Sequence, residues 1–341
     1  MRVAVYHSNS DIRLERQPTP EPGAGELLLR IQASGICGSD LMEWYRVPRA
    51  PLVLGHEVAG VVERAGEGVR EFAEGDRVVA THHVPCDDCR YCKTDRHSVC
   101  ETLRSTRFDP GGFAEFVRLP AINVERGTLR LPDEVTFEEG SFVEPLACAV
   151  RGQRLAGLRE GDNVAVLGSG VSGILHIQLA RASGASTIVA TDVSDSRLEA
   201  ALRFGADVAV PANDGALDAV REASDGRLAD RVVVCTGARP AFEQALRMVD
   251  RGGSILFFAP LPPGDTVPLP VCDLWERAAT IVHSYAGPPA EMREALELIA
   301  TRRVDVASMV SHRLGLAETG EGFRLMTEGG ESLKIIIEPQ R

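Results

Sequence analysis

The sequence predicts an α/β protein built from two domains, and three observations lead to that prediction. The chain has 341 residues, whereas a common domain has about 150. Up to about residue 130 it contains short β-like runs separated by glycine-rich turns. From Thr136 onward, strand-like and helix-like segments alternate, and such alternation builds a parallel sheet that helices cover on both faces. We therefore expect a β-rich part followed by a doubly wound parallel sheet.

The first part of the chain is predicted to form mainly strands, because its short apolar runs are bounded by glycine or charged turns. These strands cover residues 2–6, 26–35, 58–63, 76–81 and 112–119. The second part opens with a helix. Thr136 and Glu139 form a capping box ahead of the apolar-periodic stretch 142–157, which ends at Gly157.

The rest of the second part alternates between predicted strands and predicted helices. Its predicted strands are residues 163–167, 186–192, 206–210, 231–237 and 254–260. The helices between them are predicted at residues 171–183, 196–203, 215–224 and 240–250. A further apolar run (278–285), an amphipathic helix (289–300) and an apolar strand (333–338) complete the pattern.

Composition and charge exclude several classes of protein. The chain carries 37 basic and 49 acidic side chains, and the net charge of −12 disfavours binding to nucleic acid or to an anionic membrane. The hydrophobic content of 44% and the charged content of 25% are those of an ordinary globular protein. Because the sequence shows neither the apolar core of a signal peptide nor a membrane-spanning segment, we expect a cytoplasmic protein.

Four cysteines form the strongest motif: Cys86, Cys89, Cys92 and Cys100. Thiols this close suit one tetrahedral zinc ion with no open position, which indicates a structural site. Disulfides are disfavoured because cytosolic thiols stay reduced. A zinc ribbon that binds nucleic acid is disfavoured by the net charge and by the acidic residues between the thiols. We predict a structural zinc lobe over about residues 84–103.

A second group of residues has the donor types of a catalytic metal centre. Cys37, His56, Glu57 and Glu144 are each weak signals alone, since a lone cysteine or histidine is usually a packing or surface residue. Together they offer sulfur, nitrogen and oxygen ligands, the mixed set with which catalytic zinc keeps a position open for water or substrate. Asp40 is placed to accept the other ring N–H of His56 and to hold its orientation.

A glycine motif indicates a dinucleotide site. Gly168, Gly170 and Gly173 directly follow the predicted strand 163–167 and open a helix, and Asp192 closes the next strand. The glycines allow a tight turn and the approach of a pyrophosphate to the helix N-terminus, and a carboxylate about 20 residues further on binds the adenine ribose. The alternative is a glycine turn that serves packing alone.

These motifs, in this order, resemble the zinc-dependent medium-chain dehydrogenase/reductase family, which includes alcohol, sorbitol and threonine dehydrogenases. The segments that carry the resemblance are GICGSD, LVLGHEVAGVV, the four-cysteine stretch, VEPLACAV, VAVLGSGVSG and GGESLKIII. The resemblance implies a GroES-like catalytic domain over residues 1–148 and 285–341, interrupted by a Rossmann NAD-binding domain over residues 149–284.

The resemblance also implies roles for individual residues. Cys37, His56 and Glu144 match the ligands of the catalytic zinc, and Glu57 matches a carboxylate that ligates the metal or swings toward it. The hydroxyl that hands on the substrate proton corresponds to Ser39. The predicted catalytic residues are therefore Ser39, Asp40 and Glu57. The predicted cofactor-binding residues are Gly168, Gly170, Val171, Gly173, Asp192, Arg197 and Lys334.

One position departs from the family pattern. Many relatives have a histidine where this sequence has Met42, and that histidine ends their proton relay. The proton must then leave through a cofactor ribose hydroxyl, water or another group such as Glu43 or His83.

We expect reversible oxidation of a secondary alcohol, a polyol or sugar-like substrate, to a ketone by hydride transfer to NAD. Two zinc ions per chain are expected, and the catalytic zinc lowers the pKa of the bound hydroxyl from about 16 toward about 7. NAD is preferred over NADP because the Asp192 carboxylate repels a 2′-phosphate. The alternatives are an L-threonine 3-dehydrogenase and a non-catalytic redox sensor that binds zinc and nucleotide. The expected assembly is a homo-oligomer, either a dimer or a tetramer.

Overall fold

The computed structural model describes residues 1–213 and 215–341, which form two compact units. Unit 1 comprises Met1–Ala147, Ala286–Arg302 and Val306–Arg341. Unit 2 comprises Cys148–Tyr285 and Arg303–Asp305. Within the described residues, no helix is long and apolar enough to cross a membrane.

The strands of the described residues are two to nine residues long. In chain order they are β1 (Arg2–Ser8), β2 (Asp11–Arg16), β3 (Leu27–Gly35), β4 (Leu52–Val53), β5 (Glu57–Ala65), β6 (Arg77–Ala80), β7 (Phe116–Leu119), β8 (Thr128–Arg130), β9 (Asn163–Leu167), β10 (Thr187–Asp192), β11 (Val208–Pro211), β12 (Ala229–Val234), β13 (Val249–Phe257), β14 (Thr280–His283), β15 (Val310–Gly315) and β16 (Lys334–Glu338).

The helices concentrate in the second half of the chain. In chain order they are α1 (Glu43–Arg46), α2 (Glu101–Ser105), α3 (Ala121–Gly127), α4 (Phe137–Ser141), α5 (Val143–Ala156), α6 (Val171–Ala182), α7 (Asp195–Arg203), α8 (Ala216–Ala223), α9 (Arg239–Met248), α10 (Val271–Glu276), α11 (Pro289–Ala300) and α12 (Thr319–Glu328).

Unit 2 contains a six-stranded parallel sheet with the order β11-β10-β9-β12-β13-β14. Every residue of β9 is buried, as expected for an apolar strand that is covered on both faces. The chain order reverses between β9 and β12, and ligands of such sheets bind beyond the carboxyl ends of the strands at this reversal. The predicted doubly wound parallel sheet is confirmed.

Unit 1 is β-rich, as predicted. One sheet has the order β15-β16-β3-β5-β6-β8, with β7 also paired to β3, and a smaller sheet has the order β2-β1-β4. The central pair, β3 and β5, is antiparallel, and its register places Gly35 opposite Glu57. Buried aliphatic side chains of these strands, including Leu29, Ile31 and Val62, form the core.

Some boundaries differ from the predicted ones. The capping box of Thr136 and Glu139 is confirmed, with the Glu139 amide donating to Thr136 Oγ1 at 3.2 Å, but it starts the short helix α4, and α5 follows separately. Helix α12 has no counterpart in the predictions because its glycines weaken the helical pattern. One of them, Gly322, is needed for packing: a Cβ there would lie 2.6 Å from Ile36 Cδ1.

Candidate functional site

The sulfur atoms of Cys86, Cys89, Cys92 and Cys100 form a compact cluster, called here the four-cysteine cluster. Their Sγ–Sγ distances are 4.0 Å for Cys86–Cys92, 3.5 Å for Cys89–Cys92 and 3.6 Å for Cys86–Cys100. A disulfide requires about 2.05 Å. Tetrahedral zinc with Zn–S bonds of about 2.3 Å holds its sulfurs about 3.8 Å apart. The cluster therefore fits one zinc ion, and all cysteines of the chain are free thiols.

The backbone around the four-cysteine cluster supports thiolate sulfur. The Cys86 amide donates to Cys100 Sγ at 3.5 Å, and the Cys89 amide donates to Cys86 Sγ at 3.3 Å. Asp87 and Asp95 take left-handed backbone conformations with φ of 58° and 57°, which turn the chain sharply between ligands. The donors and turns needed to fold the ligands around one ion are thus all local.

A second cluster, called here the mixed cluster, brings together Cys37, His56 and Glu57. One ligand atom from each of the three lies within 4.8 Å of the others. Strand pairing explains the approach, because Cys37 follows the end of β3 while Glu57 begins β5 opposite Gly35. A Cβ at position 35 would meet the ends of the Glu57 and Lys334 side chains, so the glycine leaves room for these two side chains beside the strand.

A tight turn after β3 carries the residues around Cys37. The Cys37 amide donates to Asp40 Oδ2 at 3.1 Å, and the other oxygen, Oδ1, lies 3.5 Å from His56 Nδ1. Burial opposes the charged form of both groups. Attraction between them nevertheless holds the pKa of Asp40 below its ordinary value and, together with Cys37, raises the pKa of His56 well above its own. Metal binding requires His56 to lose that proton.

Ser39 lies directly beside the Cys37 sulfur. Its hydroxyl donates to Cys37 Sγ at 3.4 Å and accepts a hydrogen bond from Arg46 Nη2 at 3.0 Å. Arg46 is a site residue that the sequence analysis missed. The structure buries Asp40, and a buried carboxylate requires a cationic or hydrogen-bonded partner, which Arg46 supplies.

The buried side of the mixed cluster holds an ion pair between Glu57 and Lys334. Lys334 is fully buried, and its Nζ donates both to Glu57 and, at 3.2 Å, to the carbonyl of Ile36. The resemblance implied that this lysine binds the cofactor, and in the structure it is paired with Glu57, a predicted metal ligand, in unit 1.

Glu144 belongs to a different group from Cys37 and His56. Its ligand atom lies within 4.8 Å of ligand atoms of His82 and His83, and the His82 ring centroid is 4.9 Å from that of His56. Burial lowers the pKa of His82 well below its ordinary value and that of His83 to about 3, which favours the neutral form of both rings. Of the two predicted carboxylate ligands, the structure therefore groups Glu57, and not Glu144, with Cys37 and His56.

In unit 2, each glycine of the motif has a distinct geometric reason. Gly168 has a φ of +94°, which permits the turn after β9. A Cβ at Gly173 would lie 1.9 Å from the Gly168 carbonyl oxygen, so the third glycine allows helix α6 to approach the strand. A Cβ at Gly170 would meet nothing within 4 Å, which leaves open space at the N-terminus of α6, next to Val171. This is the arrangement that a pyrophosphate requires.

The end of β10 carries the carboxylate of Asp192, which is 5% exposed. Its two oxygens accept backbone N–H groups from Ser169 at 2.7 Å and Ser194 at 3.0 Å, so the carboxylate is fixed beside the glycine turn. Val193 is 88% exposed. The Nε atom of Arg197 is buried without a hydrogen-bond partner among the described residues, as expected for a side chain that awaits a ligand.

Comparisons with known proteins agree with this geometry. The model of the alcohol dehydrogenase GroES-like domain matches residues 23–133. A second model, of the zinc-binding dehydrogenases, matches residues 172–301. Sorbitol dehydrogenase of Gallus gallus is 33% identical over 98% of this chain and 96% of its own length. Sorbitol dehydrogenase of Bacillus subtilis is 30% identical over 100% of this chain and 98% of its own.

A solved structure points the same way. A protein from Sinorhizobium meliloti, described as a zinc-binding dehydrogenase and bound to NADP, superposes with a TM-score of 0.89 at 30% identity and covers 99% of both chains. These matches extend over the β-rich unit and the parallel-sheet unit alike, and they confirm the resemblance drawn from the motifs. The chain belongs to the zinc-dependent medium-chain dehydrogenase/reductase family, with a GroES-like domain and a Rossmann domain.

Proposed function

We propose that this protein oxidises a secondary alcohol, a polyol or a sugar-like compound, to the ketone with NAD as hydride acceptor. The observation that carries the proposal is the mixed cluster: Cys37, His56 and Glu57 offer sulfur, nitrogen and oxygen donors within 4.8 Å of one another, beside the hydroxyl of Ser39. The relatives named sorbitol dehydrogenase support a polyol as substrate.

Each cluster is assigned one zinc ion. The ion of the four-cysteine cluster has a structural role, and the ion of the mixed cluster has a chemical role. The four-cysteine cluster fills a tetrahedral shell with sulfur and leaves no position for substrate. Three protein ligands, Cys37, His56 and Glu57, would hold zinc and leave room for a substrate oxygen. Such an ion would supply acidification of an alcohol hydroxyl, and NAD would supply hydride acceptance. Glu144, beside His82 and His83, is proposed as a further carboxylate that reaches the metal when Glu57 is held by Lys334.

The protein side chains around the mixed cluster hold and move the proton. Ser39 uses one lone pair for Arg46 and its hydrogen for Cys37 Sγ, so one lone pair remains to accept a substrate hydroxyl. Asp40 fixes the orientation of the His56 ring through Nδ1. Ser39 is thus the proposed first proton acceptor, and as it takes the substrate proton its own hydrogen must turn from Cys37 Sγ and pass to a water molecule. Asp40 is a positioning residue.

The Rossmann unit supplies the cofactor site and its preference for NAD. The glycine turn receives the pyrophosphate, and the Asp192 carboxylate accepts the adenine ribose hydroxyls. A 2′-phosphate would face this buried carboxylate with like charge, and the position after it is Val193, which offers no basic group. Arg197 has a donor free for the adenine or ribose edge. Lys334, which is paired with Glu57, stays a predicted cofactor-binding residue.

The exposed edge of the Rossmann sheet supports assembly into a homo-oligomer, a dimer or a tetramer. In the described part of the chain, β14 ends the sheet and pairs only with β13. Nearby apolar side chains are well exposed, with Val271 at 70% and Trp275 at 78%. A cytoplasmic location is proposed because the lobe thiols must remain reduced to bind zinc.

The decisive experiment follows NADH formation at 340 nm during a substrate screen. Polyols, sugars, 2,3-diols, simple secondary alcohols and L-threonine are offered with NAD or NADP to enzyme whose zinc content has been measured by elemental analysis. We expect two zinc ions per chain and turnover with polyols or related secondary alcohols. Turnover with threonine alone would show that the protein is a threonine dehydrogenase instead. The absence of turnover with every substrate at full zinc content would favour the non-catalytic redox sensor.

A further inference from the structure

Arg46 contacts two neighbouring residues of the turn that carries Cys37. Its Nε donates to the Ser39 carbonyl oxygen at 3.0 Å, and its Nη2 donates to Ser39 Oγ at 3.0 Å and to Asp40 Oδ1 at 3.0 Å. The arginine side chain is only 14% exposed, and the Asp40 side chain is fully buried. One hydrogen bond anchors the planar guanidinium to the backbone of the turn, and the other two fix the relative position of two side chains.

Each of these two side chains in turn contacts a predicted metal ligand. Ser39 Oγ donates to Cys37 Sγ at 3.4 Å, and Asp40 Oδ1 lies 3.5 Å from His56 Nδ1. Arg46 therefore binds both residues that contact the sulfur and the nitrogen donor of the mixed cluster. In metal sites, partners at this distance orient the ligands, and their removal typically costs about 10- to 100-fold in metal affinity or activity.

We propose that Arg46 is a positioning residue of the mixed cluster, whose guanidinium holds the Ser39 hydroxyl and the Asp40 carboxylate in the geometry that the zinc centre requires. This inference rests on the proposed function, because it assigns zinc to the mixed cluster. It also defines the rotation of the Ser39 hydroxyl. With Arg46 donating to the oxygen, the hydroxyl hydrogen is directed at Cys37 Sγ, and the remaining lone pair faces away from both partners.

The same segment provides a matched control in Arg49. Both guanidiniums stack on the Tyr45 ring, with distances to the ring centroid of 4.9 Å for Arg46 and 4.2 Å for Arg49. Arg49 is exposed and makes no hydrogen bond to Ser39 or Asp40 within the residues described. Comparison of variants at the two arginines therefore distinguishes the loss of hydrogen bonds to Ser39 and Asp40 from the loss of a positive charge beside Tyr45.

The test measures zinc release to a chromogenic chelator, kcat and Tm in Arg46→Met, Arg46→Lys and Arg49→Met. In Arg46→Met we expect one of the two zinc ions to leave about 10- to 100-fold faster and kcat to fall by a similar factor. Arg46→Lys keeps the charge but not the planar fork, and we expect it to recover only part of the loss. Arg49→Met should stay within twofold of the wild type.

Chemical rescue distinguishes positioning from a role in folding alone. Guanidinium chloride at millimolar concentration should raise kcat and slow zinc release in Arg46→Ala, whereas methylammonium should not, and Arg49→Ala should respond to neither. Wild-type release and kcat in Arg46→Met would overturn the proposal. So would full recovery in Arg46→Lys, or an Arg46→Ala that guanidinium does not restore. If wild-type enzyme oxidises no alcohol, the proposed function fails, while zinc release still decides the role of Arg46.

Discussion

The four-cysteine cluster and the mixed cluster both fit zinc, but they are built in opposite ways. The first takes every ligand from one continuous segment, residues 86–100, and fixes them with backbone amides and sharp turns. The second takes its ligands from the adjoining ends of two paired strands, after β3 and at the start of β5, and surrounds them with the charges of Asp40, Arg46 and Lys334. The cluster with the proposed structural role is thus local, whereas the cluster with the proposed catalytic role is brought together by the tertiary fold.

Turnover should fall most when a substitution disrupts the mixed cluster alone. Cys37→Ala or His56→Ala should abolish turnover, a loss of more than about 10³-fold, because the open zinc position disappears. NADH affinity, measured by fluorescence titration, should change less than about threefold, since the glycine turn lies in the other unit. Loss of NADH binding in either variant would contradict the division of tasks between the units.

Ser39→Ala tests the proton path while all metal ligands of both clusters stay in place. We expect two zinc ions per chain and a chemical step about 10²- to 10⁴-fold slower, the range that general acid–base help supplies. Stopped-flow single turnovers with a deuterated alcohol measure this step directly. An unchanged single-turnover rate would remove Ser39 from the proton path, and Ser105→Ala, a surface hydroxyl on α2, is the matched control.

Cys89→Ser addresses the four-cysteine cluster. One zinc ion per chain should be lost, and unfolding should become easier by about 3 kcal/mol, a fall in Tm of roughly 5–10 °C. Turnover per folded molecule should change far less than in Cys37→Ala. Calorimetry with zinc analysis provides the measurement, and Cys272→Ser, an exposed thiol outside both clusters, is the control. Retention of both ions with a wild-type Tm would show that this cluster does not hold zinc.

Substitution of Asp192 leaves both clusters intact, and its expected effect, on the preference for NAD over NADP, is the smallest of the four. Wild-type enzyme should prefer NAD over NADP at least tenfold in kcat/KM, which corresponds to about 1.4 kcal/mol. Asp192→Ala should reduce that ratio chiefly by lowering the efficiency with NAD, and Val193→Arg should shift it further toward NADP. Equal use of both cofactors by the wild type would contradict the role given to Asp192. The NADP-bound relative makes this comparison informative.

Regular patterns allowed most of the fold to be predicted from the sequence. The alternating segments after Thr136 correspond to the parallel sheet because buried parallel strands are continuous apolar runs. Short strands and helices without such a pattern, such as the charged β2 and the glycine-containing α12, were not predicted. The end of α9 was placed two residues late, since β13 begins immediately at Val249.

The candidate site could be predicted only as far as its local motifs. Cys37 and His56 are recognisable because glycine-rich motifs flank them, and the four cysteines because of their spacing. The contacts of Arg46 with Ser39 and Asp40, and of Lys334 with Glu57, depend on tertiary packing. Lys334 reaches a carbonyl 298 positions away along the chain. No local sequence pattern encodes such a contact.

The burial of Lys334 has a practical consequence for labelling the protein. The chain contains only two lysines, Lys93 and Lys334, and the second is fully enclosed. Lys93 lies within the four-cysteine segment, paired with Asp88 at 2.8 Å, and its side chain is 64% exposed. Apart from the terminal amine, an amine-reactive fluorophore will therefore attach at a single position, on the zinc lobe, and its emission can follow the unfolding of that lobe separately from the rest of the molecule.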